Sequence, residues 1–379
     1  MENNKVCMLT TSHNPFDVRI FYKEAKSLQK DRYRVSIVAP YNEKINKDFE
    51  GVHIITITEK NHLLKWVRIF YEGLRLRANV YHCHEPISLL LCVIIKILTG
   101  RKIVYDIHEY ATYRHSYWGS ESKKNNLKQI NFLINGMLPK IESFLFNFVD
   151  HFISVDEIIA EEELKNRNYT VIPNFPSLYF GKDYLKIENK TENICVYIGG
   201  VSLDRGSLNI IKASKIIKEH ISDIKILFVG EFSEDKNEGV LNYVRGNNLS
   251  QNIFFTPPVY YTEIPKYLNS AKIGLMLYQP LDVYFKCVYP IKMFEYMLFA
   301  LPIVSSNFPR ISQTINKEKC GIAVDPASSG DIANAIIYLI EHPEEAKKMG
   351  ENGRKAVEEK YNWGIMEKRL LMVYKNLTK

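Results

Sequence analysis

The residues best placed to do chemistry in this chain are cations and a carboxylate that follow a glycine turn or sit on a short helix. In ICVYIGGVSLDRGSLNIIKAS a strand-like run ends at Gly199-Gly200, and Arg205-Gly206 lead into a helical pattern. Glycines allow close backbone approach to a ligand. A helix N-terminus with free N–H groups, joined by Arg205, makes a site for a diphosphate. Downstream, YPIKMFEYMLFALPIVSS carries Lys292 one turn before Glu295. Lys292 can reach a phosphate, and the Glu295 carboxylate can accept both hydroxyls of a ribose. The plainer reading of Lys292 is a cation on a solvated helix face.

Two further stretches place histidine and glutamate just after predicted strands: His82–Pro86 (HCHEP) and Tyr105–Tyr110 (YDIHEY). His84, His108 and Glu109 there can exchange hydrogen bonds with sugar hydroxyls, and a histidine titrates near neutrality. His84 and His108 also suit a metal, yet no third partner stands at ligand spacing. The loop Thr10–Arg19 brings Ser12 and His13 to the end of the first strand. It contains no glycine, so it lacks the fingerprint of a dinucleotide site. Asp17 caps the expected helix Arg19–Lys30. A capped turn and a substrate-facing role for Ser12 and His13 are both open at this point.

Elements must hold these loops in place. KVCMLTT, YRVSIVA, VHIITI, NVYHC, KIVYDI and HFISV read as strands, with helical periods between them. Phe21, Ala25 and Leu28 share one helix face, and Leu64, Val67 and Tyr71 share another. A second series follows: NICVYIGG, IKILFVG, NIFFT, KIGLMLY and LPIVSS. Alternation of this kind implies parallel βαβ units with helices on both faces. The expected architecture is therefore α/β: two Rossmann-like doubly wound domains facing each other across a cleft. At 379 residues the chain exceeds the ~250–300 residues of most single domains. The expected domains are residues 1–175, residues 176–355 and a C-terminal helix over 356–379 that packs back towards the first domain. The hinge falls within 173–192, where Pro173 and Pro176 precede a polar run.

Composition narrows the classes. Charged residues are 25% and hydrophobic ones 46%, which excludes disordered and low-complexity chains. The six cysteines are scattered without a CxxC pair, which reads as buried reduced thiols. The most apolar run, Ile87–Leu98, is broken by Ser88 and Lys96 and reads as a buried helix rather than a membrane span. The N-terminus has no signal-peptide pattern, which points to a cytoplasmic protein.

In this order HNPFDVRIFYKEAKSL, YDIHEY, GGVSLDRG and KMFEYMLFALPIVSS resemble retaining glycosyltransferases of family 4, which have the GT-B fold. The resemblance runs over essentially the whole chain. It implies that the second domain binds a nucleotide-diphosphate sugar, with UDP-sugars favoured. The family's glycine–Arg–Leu–three residues–Lys–Gly motif falls on Gly199 to Gly206. Arg205 takes the Lys position and Gly200 the Arg position. The family's pair of glutamates falls on Cys287 and Glu295, of which Glu295 matches the ribose-binding member. His108 matches the histidine near the reacting centre, and Val259 and Tyr260 fall where the base pocket is shaped. The implied reaction moves a hexosyl unit to an acceptor hydroxyl with retention, with no metal and no bound cofactor. Arg205, Lys292 and His108 are the implied catalytic set.

Acceptor recognition is expected in the first domain, through Ser12, His13, His84 and Glu109. The expected acceptor is a glycan or an undecaprenyl-linked sugar in bacterial surface polysaccharide synthesis: capsule, O-antigen or exopolysaccharide. Asn61–Arg77 and Lys123–Val149 mix basic and aromatic residues, which suits peripheral contact with an anionic membrane at the inner face of the cell membrane. A net charge of +7 without a clustered basic motif argues against nucleic acid. Two alternatives are another GT-B enzyme, such as a nucleotide-sugar epimerase, and a catalytically weak scaffold. Cys287 and Gly200 motivate the scaffold; Arg205, Lys292, Glu295 and His108 argue against it.

Overall fold

Short Val- and Ile-rich strands separated by helices bury both faces when they pair in parallel. The computed structural model describes residues 4–108, 139–184, 191–232, 238–281, 284–285 and 289–378, and it has this layout twice. The chain forms two compact units. One comprises Met1–Asn174 with Met366–Lys379, and the other Phe175–Ile365.

The first unit holds β1 (Lys5–Leu9), β2 (Arg34–Pro40), β3 (Asn46–Phe49), β4 (Val52–Ile57), β5 (Val80–Cys83), β6 (Lys102–Ile107), β7 (His151–Ser154) and β8 (Tyr169–Val171). They lie in the order β3-β4-β2-β1-β5-β6-β7-β8. Every pair is parallel except β3 with β4. β3 (NKDF) is exposed along its length, a short polar strand that blunts the sheet edge. The order reverses between β1 and β5. At such a switch point the loops beyond the two strands part and leave a crevice. Here those loops are Thr10–Asp17 and His84–Glu85.

Helix α1 starts with a π-type segment, Val18–Ala25, and runs on as Lys26–Lys30. Asp17 caps it, its Oδ1 accepting from the Arg19 and Ile20 N–H groups at 2.8 and 3.0 Å. Phe21, Ala25 and Leu28 are all buried, as the expected face requires. Helix α2 (His62–Leu76) differs from expectation. Leu64, Val67 and Tyr71 are more than half exposed, and Ile69 and Gly73 face inward instead. The helix carries two apolar stripes, and the one containing glycine can come closer to the sheet. A Cβ on Gly73 would lie 3.1 Å from Leu9 Cδ2. Helix α3 (Pro86–Thr99) opens on proline and ends at Gly100 in the left-handed region. It buries most of its length but exposes Leu90, Ile94, Ile97 and Leu98.

The second unit holds β9 (Ile194–Ile198), β10 (Lys225–Val229), β11 (Ile253–Phe255), β12 (Ile273–Met276), β13 (Ile303–Ser306) and β14 (Gly321–Val324). Their order is β11-β10-β9-β12-β13-β14, all parallel, so the switch point lies between β9 and β12. Helix α4 (Ser207–His220) follows β9, and helix α5 (Ile291–Leu298) precedes β13. Tyr296 fixes α5 at the switch point. Its hydroxyl donates to Leu275 O at 3.0 Å and accepts from Ile198 N–H at 3.1 Å, tying α5 to both β12 and β9. Gly274 makes the room, since a Cβ there would meet Tyr296 Cγ at 2.5 Å. The final helix, α6 (Trp363–Leu377), enters the first unit at Met366, where Tyr374 is buried. Among the described residues no helix is long and apolar enough to cross a membrane.

Candidate functional site

In the second unit the chain leaves β9 through Gly199, at φ +107°. The Gly200 carbonyl accepts from Tyr197 Oη at 2.9 Å and from Arg205 Nη1 at 3.4 Å. A Cβ on Gly200 would stand 3.1 Å from that guanidinium, so the bare glycine leaves room for Arg205 to fold back over the turn. Gly206 has φ +86°, and a Cβ on it would lie 1.9 Å from Leu277 O. Only glycine fits there, and it opens α4 directly after Arg205. Burial works against the Arg205 charge, but the phenol oxygens of Tyr197 and Tyr284 outweigh it and keep the group cationic.

Lys292 is buried on α5. Its Nζ lies 3.9 Å from the centroid of the Tyr197 ring and 5.2 Å from that of Tyr278, a cation held over two aromatic faces. A Cβ on Gly199 would come within 3.7 Å of Nζ. Arg205 and Lys292 therefore both address the turn between Tyr197 and Gly200. Glu295, buried one turn after Lys292, is hydrogen-bonded by the Tyr261 phenol. Burial raises that phenol well above its ordinary range, and the Glu295 carboxylate raises it further. Tyr261 stacks on Phe180 with ring centroids 4.3 Å apart. Two cations, a helix N-terminus and an oriented carboxylate can together hold a diphosphate and a vicinal diol.

In the first unit Glu85 organises the crevice between β1 and β5. It accepts from the Thr10 hydroxyl, from Ser12 Oγ at 2.9 Å, from Ser88 Oγ at 2.8 Å, and from the Thr11 and Ser12 N–H groups at 3.3 Å. Burial pushes its carboxyl up, but His13, the Thr10 hydroxyl, His84 and Ser88 outweigh this and bring it down to about 2. His13 Nε2 lies 3.1 Å from His108 Nε2. A cavity of about 1140 Å³ opens over these groups, lined by Ser12, His13, Trp66, His84, Glu85 and His108 among others.

Beneath the cavity lies a buried charged cluster. Arg19 grips Asp106 with two hydrogen bonds, Nε to Oδ2 at 2.6 Å and Nη2 to Oδ1 at 2.8 Å. Its third nitrogen donates to Ile172 O at 3.0 Å. Glu24 Oε1 lies 3.2 Å from Arg19 Nε. Burial pushes the Glu24 carboxyl well above its usual range, and the neighbouring Asp106 adds to the effect. One guanidinium, one carboxylate and one carboxylic acid leave the cluster neutral, as a buried group of charges requires. Burial likewise keeps His82 neutral, with Tyr374 Oη 2.8 Å from its Nδ1. Glu24, His82, His84 and Asp106 each place one ligand-type atom within 4.8 Å of the others, partners that no local spacing reveals. Arg19 already supplies a cation to the two carboxyl groups of this set.

Residues 185–356 match the family model described as glycosyl transferases group 1. That stretch is a little under half of the chain and lies within the second unit. Over its full length it is 22% identical to the capsular polysaccharide biosynthesis glycosyltransferase CapM of Staphylococcus aureus, covering 99% of that protein. It is 24% identical over 254 residues to an uncharacterized glycosyltransferase of Methanocaldococcus jannaschii, covering 62% of this chain and 61% of that one. The fold is that of sucrose-phosphate synthase from Thermosynechococcus elongatus, with a TM-score of 0.76, 15% identity and 99% of both chains covered. It is equally that of Anabaena HepE, solved in complex with UDP, at a TM-score of 0.70, 13% identity and coverage of 98% and 100%. Both are GT-B structures, so the chain has the GT-B fold.

Gly199, Gly200, Arg205, Val259, Tyr260, Lys292 and Glu295 all lie within the residues that match the family model. The structure gathers Gly199, Gly200, Arg205 and Lys292 at one turn, with Glu295 one helical turn further along α5. Val259 is half-buried and Tyr260 is 81% exposed, its N–H donating to Glu263 Oε2. It is the next residue, Tyr261, that reaches Glu295. In the first unit Ser12, His13, His84 and His108 come together. Glu109 and Cys287 lie outside the described residues, as does the first part of Lys123–Val149. Sequence reasoning singled out neither Glu85, Asp106 and Arg19 nor Tyr261. Glu85 had a visible signal, a glutamate between histidine and a helix-opening proline. The others declare themselves only through the fold.

Proposed function

We propose that this chain transfers a hexosyl unit from a UDP-sugar to a hydroxyl of a glycan or lipid-linked sugar, with retention, in the synthesis of a bacterial surface polysaccharide. The observation that carries the reading is the convergence of Arg205 and Lys292 on the Tyr197–Gly200 turn at a switch point, with Glu295 oriented alongside. The full-length likeness to CapM supports a polysaccharide product, and HepE, solved with UDP-glucose, supports the donor class.

In this reading Arg205, Lys292 and the N-terminus of α4 offset the charge that develops on the leaving diphosphate. Glu295 takes the ribose hydroxyls, and Val259 and Tyr260 border the base. The bond from the anomeric carbon to the phosphate oxygen breaks, and a bond to the acceptor oxygen forms on the same face. The acceptor's proton passes to the leaving phosphate, and no metal or bound cofactor takes part. The acceptor sits in the first unit, against Ser12, His13, His84 and Glu85, with His108 at the reacting end. The exposed Leu63, Leu64, Val67 and Tyr71 of α2, beside Lys65 and Arg68, suit contact with an anionic bilayer.

A thermal-shift screen against UDP, GDP, ADP and CMP and their sugars, with and without EDTA, tests the donor. At ~100 times Kd a ligand adds ~2.7 kcal/mol of stability, which is readily visible. A shift with UDP and its sugars that EDTA leaves unchanged is expected. A shift only with another nucleotide, or one abolished by EDTA, overturns the donor assignment. The anomeric configuration of the product, read by NMR, tests retention.

A further inference from the structure

The histidines that line the first unit's cavity are connected to its buried charges through one carboxylate. Asp106 Oδ2 lies 3.3 Å from His108 Nδ1 and 3.4 Å from His84 Nδ1, and it also accepts from Arg19 Nε. A carboxylate gripped by a guanidinium on both oxygens is ionised and can only accept. Each imidazole nitrogen facing it must therefore carry the proton. In a neutral histidine that choice fixes the other nitrogen. His108 Nε2, left with a lone pair, faces His13 Nε2 at 3.1 Å, and one member of that contact has to donate.

We propose that Asp106 is a positioning residue that holds His108 as its Nδ1–H tautomer, so that His13 donates its Nε2–H to His108 Nε2. The surroundings of His13 agree. Its Nδ1 lies 3.8 Å from Asp17 Oδ2, and its Nε2 lies 3.6 Å from Glu85 Oε1. A carboxylate stands near each of its nitrogens, so it is the lone pair of His108 Nε2 that calls for the proton on His13 Nε2. The rings meet edge to face, with centroids 4.9 Å apart and planes at 64°. Arg19 in turn holds Asp106, so a residue of α1 sets the polarity of an imidazole at the end of β6.

The consequence for recognition rests on the reading of this cavity as the acceptor site. A hydroxyl entering there meets a lone pair on His108 once it displaces the His13 N–H, and a donor on His13. The pair can therefore accept from one hydroxyl and donate to a neighbouring one.

The tautomer is measurable without any substrate. In protein labelled with 15N-histidine, two-bond 1H–15N spectra distinguish the Nδ1–H from the Nε2–H form, and His108→Gln and His13→Gln assign the two signals. In the native protein His108 is expected to show the Nδ1–H pattern and His13 a protonated Nε2. Asp106→Asn is expected to remove the Nδ1–H pattern of His108. Because Asp106 is buried against Arg19, that variant can fail to fold. His13→Gln leaves the core intact: His108 should stay Nδ1–H while its bare Nε2 resonance moves. An Nε2–H pattern for His108 in the native protein overturns the proposal, as does an unmoved Nε2 resonance in His13→Gln. These spectra are blind to turnover. A chain that shows the expected tautomers yet transfers no sugar refutes the functional reading and leaves this one standing.

Discussion

Replacing Glu85 by glutamine tests the electrostatics of the first unit's crevice most directly. The carboxyl is brought from an ordinary 4.5 down to about 2. At ~1.4 kcal/mol per tenfold change this drop corresponds to about 3 kcal/mol of stability carried by the ionised form at neutral pH. Since the folded-state value lies below the unfolded one, that stability is complete above pH ~4.5 and is lost as the pH falls towards ~2. About 2 kcal/mol of it should be gone by pH ~3. Glutamine keeps one oxygen for the Thr10 and Ser12 hydroxyls but cannot titrate. The wild-type protein should therefore exceed Glu85→Gln in stability by roughly 2–3 kcal/mol at pH 7, less whatever the amide recovers, and the gap should narrow with acid. All other carboxyl groups are common to both proteins and cancel in the difference. Two units need not unfold as one, so the difference is best read locally, by hydrogen exchange in peptides covering β1 and β5 under urea. A gap that stays constant between pH 6 and pH 3 would refute the claim that the Thr10–Ser12 loop and His13 hold Glu85 ionised.

Three further outcomes are expected. Glu295→Ala should weaken UDP-sugar binding roughly tenfold or more, the scale of a lost hydrogen bond to a charged group. Tyr261→Phe should have a smaller effect in the same direction; equal binding of UDP by Glu295→Ala and wild type would remove Glu295 from the donor site. Gly206→Ala forces a methyl group against Leu277 O at positive φ, so it should cost roughly 1–3 kcal/mol or more and lower the melting temperature of the second unit. An unchanged melting temperature would mean that the α4 entry turn adapts. Leu64→Ser with Val67→Ser and Tyr71→Ser should reduce co-sedimentation with anionic vesicles while leaving thermal stability within ~0.5 kcal/mol per site. A large loss of stability would instead mark this stripe as packed.

Much of the fold was legible because parallel strands buried on both faces must be apolar throughout. KIVYDI and VHIITI announce β6 and β4 to the residue. The elements that went unread lack that signature. β3 is four exposed residues, three of them polar, and β8 and β14 are short runs whose burial depends on neighbours. On α2 the periodicity was real, but two apolar stripes competed, and only the close packing of Gly73 on Leu9 decides between them. The donor-side residues were legible because a glycine turn, an arginine and a helix start are contiguous in sequence. The first unit's crevice was half legible. Strand ends named Ser12, His13, His84 and His108, but no local pattern ties Asp106 to Arg19 across 87 residues.

The part that resisted reading most is the first half of α1, and its geometry explains why. A helix of 3.6 residues per turn places positions i and i+5 well apart around its axis. Arg19 and Glu24 are five apart, yet they lie 3.2 Å from each other and both are buried. The π-type segment Val18–Ala25 makes this possible, since its wider turn brings i and i+5 into line. Lys23 joins them on the buried side, donating to Asn174 O at 3.1 Å. An ordinary helix would turn Glu24 away from Arg19 and Asp106, and a buried carboxyl group left without a polar partner costs on the order of 1–3 kcal/mol. The wide turn is thus the backbone's answer to placing cation and carboxyl groups under one crevice. The DVRIFYKEA stretch follows from the same demand: Asp17 to start the helix, Arg19 and Glu24 for the cluster, and Phe21 with Ala25 to seal it from the core.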